Sequence, residues 1–197
     1  MKLNVLRFTA PLAGFLASVT FALAANAPVI PLPDDPACTP ADRPFMNRAN
    51  ELAAAASAHG NGSYGAVLVK EGKIILEFEA CSTTTSDPTQ HAETGLIALA
   101  SRTLGRETFE GATLYTSTEP CIMCCGAIRA GGLKEFVYGT TALQVTKLRG
   151  AKLPADPLQC REVFARSATP SAVTIRGPLM EAEGLAIHAV HLARVAR

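Results

Sequence analysis

The chain has 197 residues, of which 48% are hydrophobic, with 18 basic and 17 acidic side chains. This length is enough for one domain with a substantial core. The near-zero charge balance disfavours a protein that grips nucleic-acid phosphates, because such proteins carry a basic patch or stripe. Lysine and arginine are scattered, and the arginine-richer C-terminal tail is interpreted as a solvated face.

Residues 1–24 have the features of a secretory signal peptide. Lys2 and Arg7 give a positive start, residues 8–25 carry no charge, and Ala22-Leu23-Ala24 is a small-residue cleavage site. We therefore predict export to the periplasm or the cell exterior, without a stable membrane anchor. The alternative is an uncleaved anchor, because the apolar run is nearly long enough to span a bilayer. Cleavage leaves 16 basic and 17 acidic residues, a net charge of −1.

Residues 25–42 are rich in proline and aspartate and predict an extended arm before a domain over residues 43–197. Apolar spacing and turn residues predict the elements in chain order. They are a helix at 43–59, strands at 64–69 and 73–79, a helix led by His91, a strand at 112–117, a helix at 121–130, a strand at 135–138, a helix at 156–166, a strand at 172–176 and a helix at 179–192. This alternation implies a sheet covered by helices on both faces.

Three of the four histidines are interpreted without a metal. His59 is predicted to cap the C-terminus of the first helix. His188 and His191 have ligand-like i, i+3 spacing on the last helix, but without a third partner we interpret them as core or surface residues.

The residues that suggest chemistry lie between positions 87 and 126. His91, Cys121 and Cys124 can give Zn²⁺ three ligands and leave a fourth tetrahedral position for water. The metal lowers the pKa of that water towards about 7 and so supplies a nucleophile near neutral pH. Glu93, two residues from one ligand, is predicted to carry protons as the catalytic acid and base.

The spacing of these residues suits one metal centre. His91 and Cys121 are each predicted to open a helix, and Pro120 is favoured near a helix start. Cys121 and Cys124, three residues apart, share a helix face. Cys125 is not expected to be a further ligand, because adjacent helical residues point about 100° apart. A lone Cys-x-x-Cys in an exported chain is more typical of a disulfide or redox pair.

The pattern H-x-E followed by P-C-x-x-C resembles the zinc-dependent nucleobase deaminases of the cytidine/deoxycytidylate deaminase superfamily. The branch that it resembles contains guanine deaminase, fungal cytosine deaminase and tRNA adenosine deaminase. The resemblance extends to the flanking segments and covers roughly residues 44–150. These segments are 60–69, 87–93, 114–124, 125–131 and 136–139.

The resemblance implies a three-layer α/β/α sandwich with a mixed, mostly parallel five-stranded sheet. It also implies one zinc ion per chain, a homodimer, and a C-terminal region that diverges from about residue 151. In similar guanine deaminases the C-terminal segment closes over the pocket, sometimes that of the partner subunit. Whether this tail does so is left open at this point.

The resemblance also suggests residues that bind the substrate. Tyr64, in the family's first-strand turn, is predicted to line the pocket and stack on an aromatic ring, with a strand-edge core tyrosine as the alternative. Ala80 stands where the family commonly has a base-binding asparagine, so the substrate is held differently or is itself different. Ala92, between His91 and Glu93, is predicted to contact the substrate.

Two remaining cysteines, Cys38 and Cys160, lie outside the segment of resemblance and near the two ends of the exported chain. Because cysteines pair in oxidising compartments, we predict that a disulfide joins them.

The predicted function is hydrolytic deamination of a free nucleobase or similar small heterocycle, with guanine first and cytosine second. The alternatives are a tRNA adenosine deaminase and a non-enzymatic zinc or interaction protein on the same scaffold. Glu93 favours an enzyme, because a purely structural zinc site normally has a fourth protein ligand and needs no such carboxylate.

Overall fold

A computed structural model describes residues 28–151, 155–167 and 172–197 of the chain. The predicted signal peptide and its cleavage site lie outside these residues. Across the described part of the chain, every helix is too short or too polar to cross a membrane.

Six α-helices and five strands form within the described residues, together with 3-10 turns at Pro40–Asp42 and Arg106–Phe109. In chain order they are α1 (Arg43–Ala58), β1 (Gly65–Lys70), β2 (Lys73–Glu79), α2 (Ala92–Thr103), β3 (Ala112–Thr118), α3 (Ile122–Gly131), β4 (Glu135–Thr140), α4 (Ala142–Leu148), α5 (Cys160–Ala165), β5 (Thr174–Arg176) and α6 (Glu181–Val195).

The five strands form one mixed sheet in the order β2-β1-β3-β4-β5. β1 pairs antiparallel with both β2 and β3, whereas β3, β4 and β5 pair in parallel. Four of the five strands therefore run in one direction, and β1 alone is reversed. The predicted α/β fold with a mixed five-stranded sheet is confirmed.

Alternate residues along the central strands enter two separate cores, because successive side chains of a strand point to opposite faces. Leu68, Leu114 and Phe136 pack with α2 and α3 on one face. Val67 and Tyr115 pack with α1 and with the segment before α6 on the other face. The sheet thus lies between two helical layers, and the metal-binding motifs belong to the layer of α2 and α3.

One close approach fixes α2 against the sheet edge. A Cβ added to Gly95 would lie 2.2 Å from the Phe78 ring on β2, so only glycine lets this helix lie so near the strand. Because Gly95 lies in the second turn of α2, the contact also holds the start of that helix in place.

The predicted elements differ from the structure chiefly beyond residue 140. α4 was not predicted, because seven residues are too few to show a helical period; Thr141 caps it by accepting a hydrogen bond from the Gln144 N–H at 3.3 Å. The predicted helix at 156–166 is limited to α5. His59 is the C-cap of α1, as predicted, and its ring pairs with Glu79 at 2.6 Å.

The arm before α1 is tied to the C-terminal part of the chain. The Asp35 N–H donates to the Pro178 carbonyl at 2.7 Å, and the Met180 N–H donates to Asp34 at 2.8 Å. Further up the arm, the Gln144 side chain donates to the Ile30 carbonyl at 2.9 Å. These contacts join the two ends of the described chain without covalent linkage.

The predicted Cys38–Cys160 disulfide is wrong, because both residues have free thiols in the structure. Cys160 is fully buried in the core on the α2 and α3 face of the sheet. Cys38 packs at the edge of the core on the opposite face. The sheet stands between the two sulfur atoms, so sequence position near the chain ends did not bring them together.

Candidate metal and catalytic site

Two helix starts place the three candidate metal ligands. His91 is the N-cap of α2, and Cys121 is the N-cap of α3, directly after the carboxyl end of β3. Cys124 follows one turn into α3 and is buried. Both helix N-termini, where backbone N–H groups are unpaired, therefore converge at the end of the sheet.

The three ligand atoms form a nearly equilateral triangle. The Cys121 and Cys124 sulfur atoms are 3.5 Å apart, and His91 Nδ1 lies 3.7 Å and 3.6 Å from them. Tetrahedral zinc with ordinary bond lengths requires about 3.8 Å between two sulfur ligands and about 3.6 Å between sulfur and nitrogen. The donor set and its spacing thus fit Zn²⁺, and this is the one cluster of three metal-ligating side chains within the described residues.

The Cys121 and Cys124 sulfur atoms are joined by a hydrogen bond, and this contact lowers the pKa of Cys121 to about 4. The same hydrogen bond, together with burial, raises the pKa of Cys124. Cysteine ligates metals as the thiolate, so zinc binding requires both sulfur atoms to be deprotonated.

Glu93 lies beside the triangle and is 5% exposed. The Thr116 hydroxyl on β3 donates to Glu93 Oε1 at 3.0 Å, and Cys124 Sγ lies 3.3 Å from Oε2. Burial raises the pKa of the Glu93 carboxyl. A carboxyl group in this position can take up and return protons next to a metal-activated water.

A cavity of about 310 Å³ opens onto this centre. His91, Glu93 and both ligand cysteines line it, as does Tyr64, in agreement with the sequence prediction. The Tyr64 and His91 rings are nearly parallel, with centroids 6.3 Å apart. Pockets for small ligands commonly begin at about this size, so the cavity suits a small heterocycle.

Two predicted substrate contacts are not part of the cavity wall. Ala80 is 1% exposed, and its N–H donates to the Tyr64 carbonyl at 3.0 Å, so it supports the tyrosine from behind. Ala92 is fully buried in the core beneath α2. The position where relatives commonly carry an asparagine therefore offers neither an amide nor an exposed surface.

His188 from α6 contributes a buried hydrogen-bonded bridge behind the cavity. Its ring nitrogens lie 2.8 Å from the Ser63 hydroxyl and 2.9 Å from the Thr118 hydroxyl, and its ring meets Tyr64 edge-on at 5.5 Å. His191 bonds Ser57 at 3.0 Å. His188 is a buried core residue and His191 is half-buried, in line with their interpretation as core or surface residues. α6 packs on its own α1 and contributes no residue to the cavity wall.

The sequence analysis missed two charged residues of the cavity wall, Glu119 and Arg149. The carboxylate of Glu119 accepts the Ala142 N–H at 3.0 Å and the Cys160 N–H at 2.8 Å, so it joins the starts of α4 and α5. Glu119 belongs to the Glu-Pro-Cys segment and was noted only as part of that motif. Arg149 follows α4, the unpredicted helix, and no local pattern marked it.

Comparison with known proteins agrees with this geometry. Residues 39–140 match the family described as the cytidine and deoxycytidylate deaminase zinc-binding region. Over 149 residues the chain is 30% identical to a probable cytosine deaminase of Schizosaccharomyces pombe, a match that covers 75% of this chain and 90% of the relative. That segment contains all three candidate ligands.

Two further similarities are with a guanine deaminase and a tRNA deaminase. Over 95 residues the chain is 47% identical to guanine deaminase of Bacillus subtilis, which covers 48% of this chain and 61% of that protein. A solved structure from work on tRNA:A34 deaminases superposes with a TM-score of 0.61 at 29% identity, covering 74% of this chain and 99% of that one. The chain thus spans about three fifths of the guanine deaminase's length.

Proposed function

The chain belongs to the cytidine and deoxycytidylate deaminase zinc-binding family, and we propose that it hydrolytically deaminates a free nucleobase or a similar small heterocycle, releasing ammonia. One observation carries the proposal. The buried carboxylate of Glu93 stands beside a three-ligand metal triangle, and both line the same cavity. A metal with three protein ligands keeps a position for water, which a purely structural site does not need.

The residues divide the work of the reaction. Zinc held by His91, Cys121 and Cys124 would supply an acidified water as the nucleophile. Glu93 takes up the proton that the attacking water loses and delivers protons to the ring nitrogen and to the departing amine. Thr116 holds one oxygen of Glu93 through its hydrogen bond, which leaves the other oxygen on the side of the ligand triangle. The amine leaves as ammonia, and an oxygen atom from water takes its place on the ring.

Guanine is the first choice of substrate. The segments that carry the ligands, Asp87–Glu93 and Leu114–Cys124, are closely similar to those of guanine deaminases, and identity to the Bacillus subtilis guanine deaminase is 47%. Cytosine comes second, because the similarity to the probable cytosine deaminase is longer but lower in identity.

A tRNA adenosine substrate is disfavoured by the balance of charge. The whole chain has a formal net charge of +1, whereas proteins that grip nucleic acid carry a basic patch or stripe. A scaffold without activity is disfavoured, because a purely structural zinc site does not need the carboxylate of Glu93. Export and homodimerisation stay predictions.

The test is ammonia release by the zinc-loaded protein from guanine, cytosine, adenine, pterin, the corresponding nucleosides and a tRNA anticodon stem. We expect one free heterocycle, guanine, to be turned over well above the others. Strong activity on the tRNA alone would contradict the proposal and favour the second candidate. A folded, zinc-loaded protein that releases no ammonia from any compound would favour the scaffold alternative.

A further inference from the structure

Arg149 is the only basic side chain other than the ligand His91 on the wall of the described cavity. It follows the last residue of α4 and lies outside the segment that matches the family, residues 39–140. The side chain is exposed towards the cavity and solvent.

The guanidinium is held in place but not neutralised. Its Nη2 donates to the Tyr64 hydroxyl at 2.6 Å, and among the described residues no carboxylate lies within ion-pairing distance of it. Glu119, the second acidic residue of the wall beside Glu93, accepts hydrogen bonds from two backbone N–H groups. Arginine carries five N–H donors in a planar fork, and the Tyr64 hydroxyl is the one side-chain partner that the described residues give them.

Tyr64 connects this guanidinium to the metal centre. Its ring lies parallel to the ligand histidine at one end of the cavity, and its hydroxyl contacts Arg149. His188 packs edge-on against the same ring and prevents it from swinging away. The metal ligands and the Arg149 guanidinium therefore lie on the wall of one cavity, with Tyr64 in contact with the guanidinium and stacked on His91.

Candidate substrates differ in the hydrogen-bond acceptors that they can offer to the Arg149 guanidinium. When the 2-amino group of guanine points to the metal centre, the opposite edge presents two adjacent acceptors, the carbonyl oxygen O6 and the ring nitrogen N7. Arginine recognises this pair in a bidentate manner. Pterin presents the same pair as O4 and N5. Opposite the amine of cytosine or adenine the edge combines a ring N–H donor with an acceptor, which leaves part of the fork unpaired.

We infer that Arg149, positioned by Tyr64, determines substrate specificity. Its guanidinium donates two hydrogen bonds to the adjacent oxygen and nitrogen acceptors of fused 2-amino-oxo heterocycles such as guanine and pterin. This inference rests on the proposed deaminase function. In this inference the Arg149 guanidinium, which lies beyond the matched segment 39–140, takes the place of the asparagine that the resemblance predicts where the chain has Ala80.

The experiment compares kcat/KM for guanine and for 2-aminopurine, which keeps the 2-amino group and N7 but lacks O6. We expect the parent protein to prefer guanine, and Arg149→Gln to lower kcat/KM for guanine by about 10- to 100-fold while changing that for 2-aminopurine by less than about threefold. Arg149→Lys keeps the charge but loses the fork, so it should recover only part of the preference. Arg102→Gln, an exposed arginine at the end of α2, is the matched control.

The outcomes separate the inference from the proposed function. Guanine turnover that Arg149→Gln leaves unchanged would overturn the inference and leave the deaminase proposal intact. The parent protein could instead be active only on a heterocycle that bears a phosphate or carboxylate, with that activity lost in Arg149→Gln. This result would overturn the inference, because Arg149 would then bind an anionic group and not the oxygen and nitrogen acceptors. A parent protein with no deaminase activity would contradict the proposed function itself.

Discussion

His188 Nε2 lies 2.9 Å from the Thr118 hydroxyl and so joins the last helix of the chain to the strand end that leads into the metal-binding cysteines. Thr118 is the last residue of β3 and directly precedes Glu119-Pro120-Cys121. The other ring nitrogen of His188 bonds Ser63, next to Tyr64. A residue well outside the family segment therefore braces both the metal loop and the aromatic wall of the cavity.

Removing the His188 ring should destabilise the protein and loosen the cavity. We expect His188→Ala to lower the free energy of unfolding by about 2–4 kcal/mol, because it leaves two buried hydroxyls unpaired and opens a void. KM should rise more than kcat falls, since Tyr64 loses its edge-on neighbour while the ligands remain. His188→Gln, which can pair with both hydroxyls, should recover part of both effects. Urea denaturation and steady-state kinetics measure them, and equal values for parent and His188→Ala would contradict this role.

The same histidine should make stability depend on pH. Burial first, and then the charges of Arg149 and His191, lower the pKa of His188 from its ordinary 6.5 to about 4. Between these values unfolded His188 binds a proton that folded His188 does not, so its contribution to stability falls as the pH falls from 6.5 to 4 and is constant above about 6.5. The loss attributable to His188 is about 3 kcal/mol.

Denaturation at a series of pH values tests this. His191, whose pKa is also lowered, contributes equally to the parent and to His188→Gln. The two proteins should therefore differ in slope only between about pH 4 and pH 6.5. Parallel curves across that range would show that the pKa of His188 is the same in the folded and unfolded chains.

The metal centre could be predicted from sequence because local rules place it. His91 and Cys121 each cap a helix, and Cys121 and Cys124 share a face by spacing alone. Arg149 could not be found in this way, since its role depends on where a short helix packs. The error over Cys38 and Cys160 has the same origin. Sequence showed that both lie near the chain ends, but not that they face opposite sides of one sheet.

Zinc retention should distinguish the ligand cysteine Cys124 from its neighbour Cys125. We expect Cys124→Ser to lose most of its zinc during gel filtration with a chelator, because a hydroxyl is a poor replacement for a thiolate at a zinc centre. Cys125→Ala is the matched control. Cys125 is buried, contacts the Pro120 carbonyl at 3.5 Å and lies outside the ligand triangle, so this variant should keep about one zinc per chain. Mass spectrometry measures the zinc content of both variants. Loss of zinc in Cys125→Ala alone would overturn the ligand assignment.

Glu119 should stabilise the cavity wall without touching the metal. Its carboxylate accepts the first backbone N–H of α4 and of α5, and both groups lack another partner at a helix start. Glu119→Ala should lower the free energy of unfolding by about 2–4 kcal/mol. Glu110→Ala, an exposed glutamate before β3, is the control and should change it by less than about 0.5 kcal/mol. Full zinc content should be kept in both. Equal stability of the two variants would mean that the two N–H groups find other partners.

Glu93 should be required for turnover but not for metal binding. Glu93→Gln keeps the shape of the side chain and can still accept the Thr116 hydrogen bond, but an amide cannot take up the proton from water. We expect kcat to fall by at least about 10²- to 10⁴-fold, while zinc content and the free energy of unfolding stay near those of the parent. Burial of a charged carboxylate is unfavourable, so replacing buried Glu93 by a neutral side chain adds no desolvation penalty to folding. Ammonia release at the parent rate from zinc-loaded Glu93→Gln would exclude this residue as the acid and base and direct the search to the other carboxylate of the cavity, Glu119.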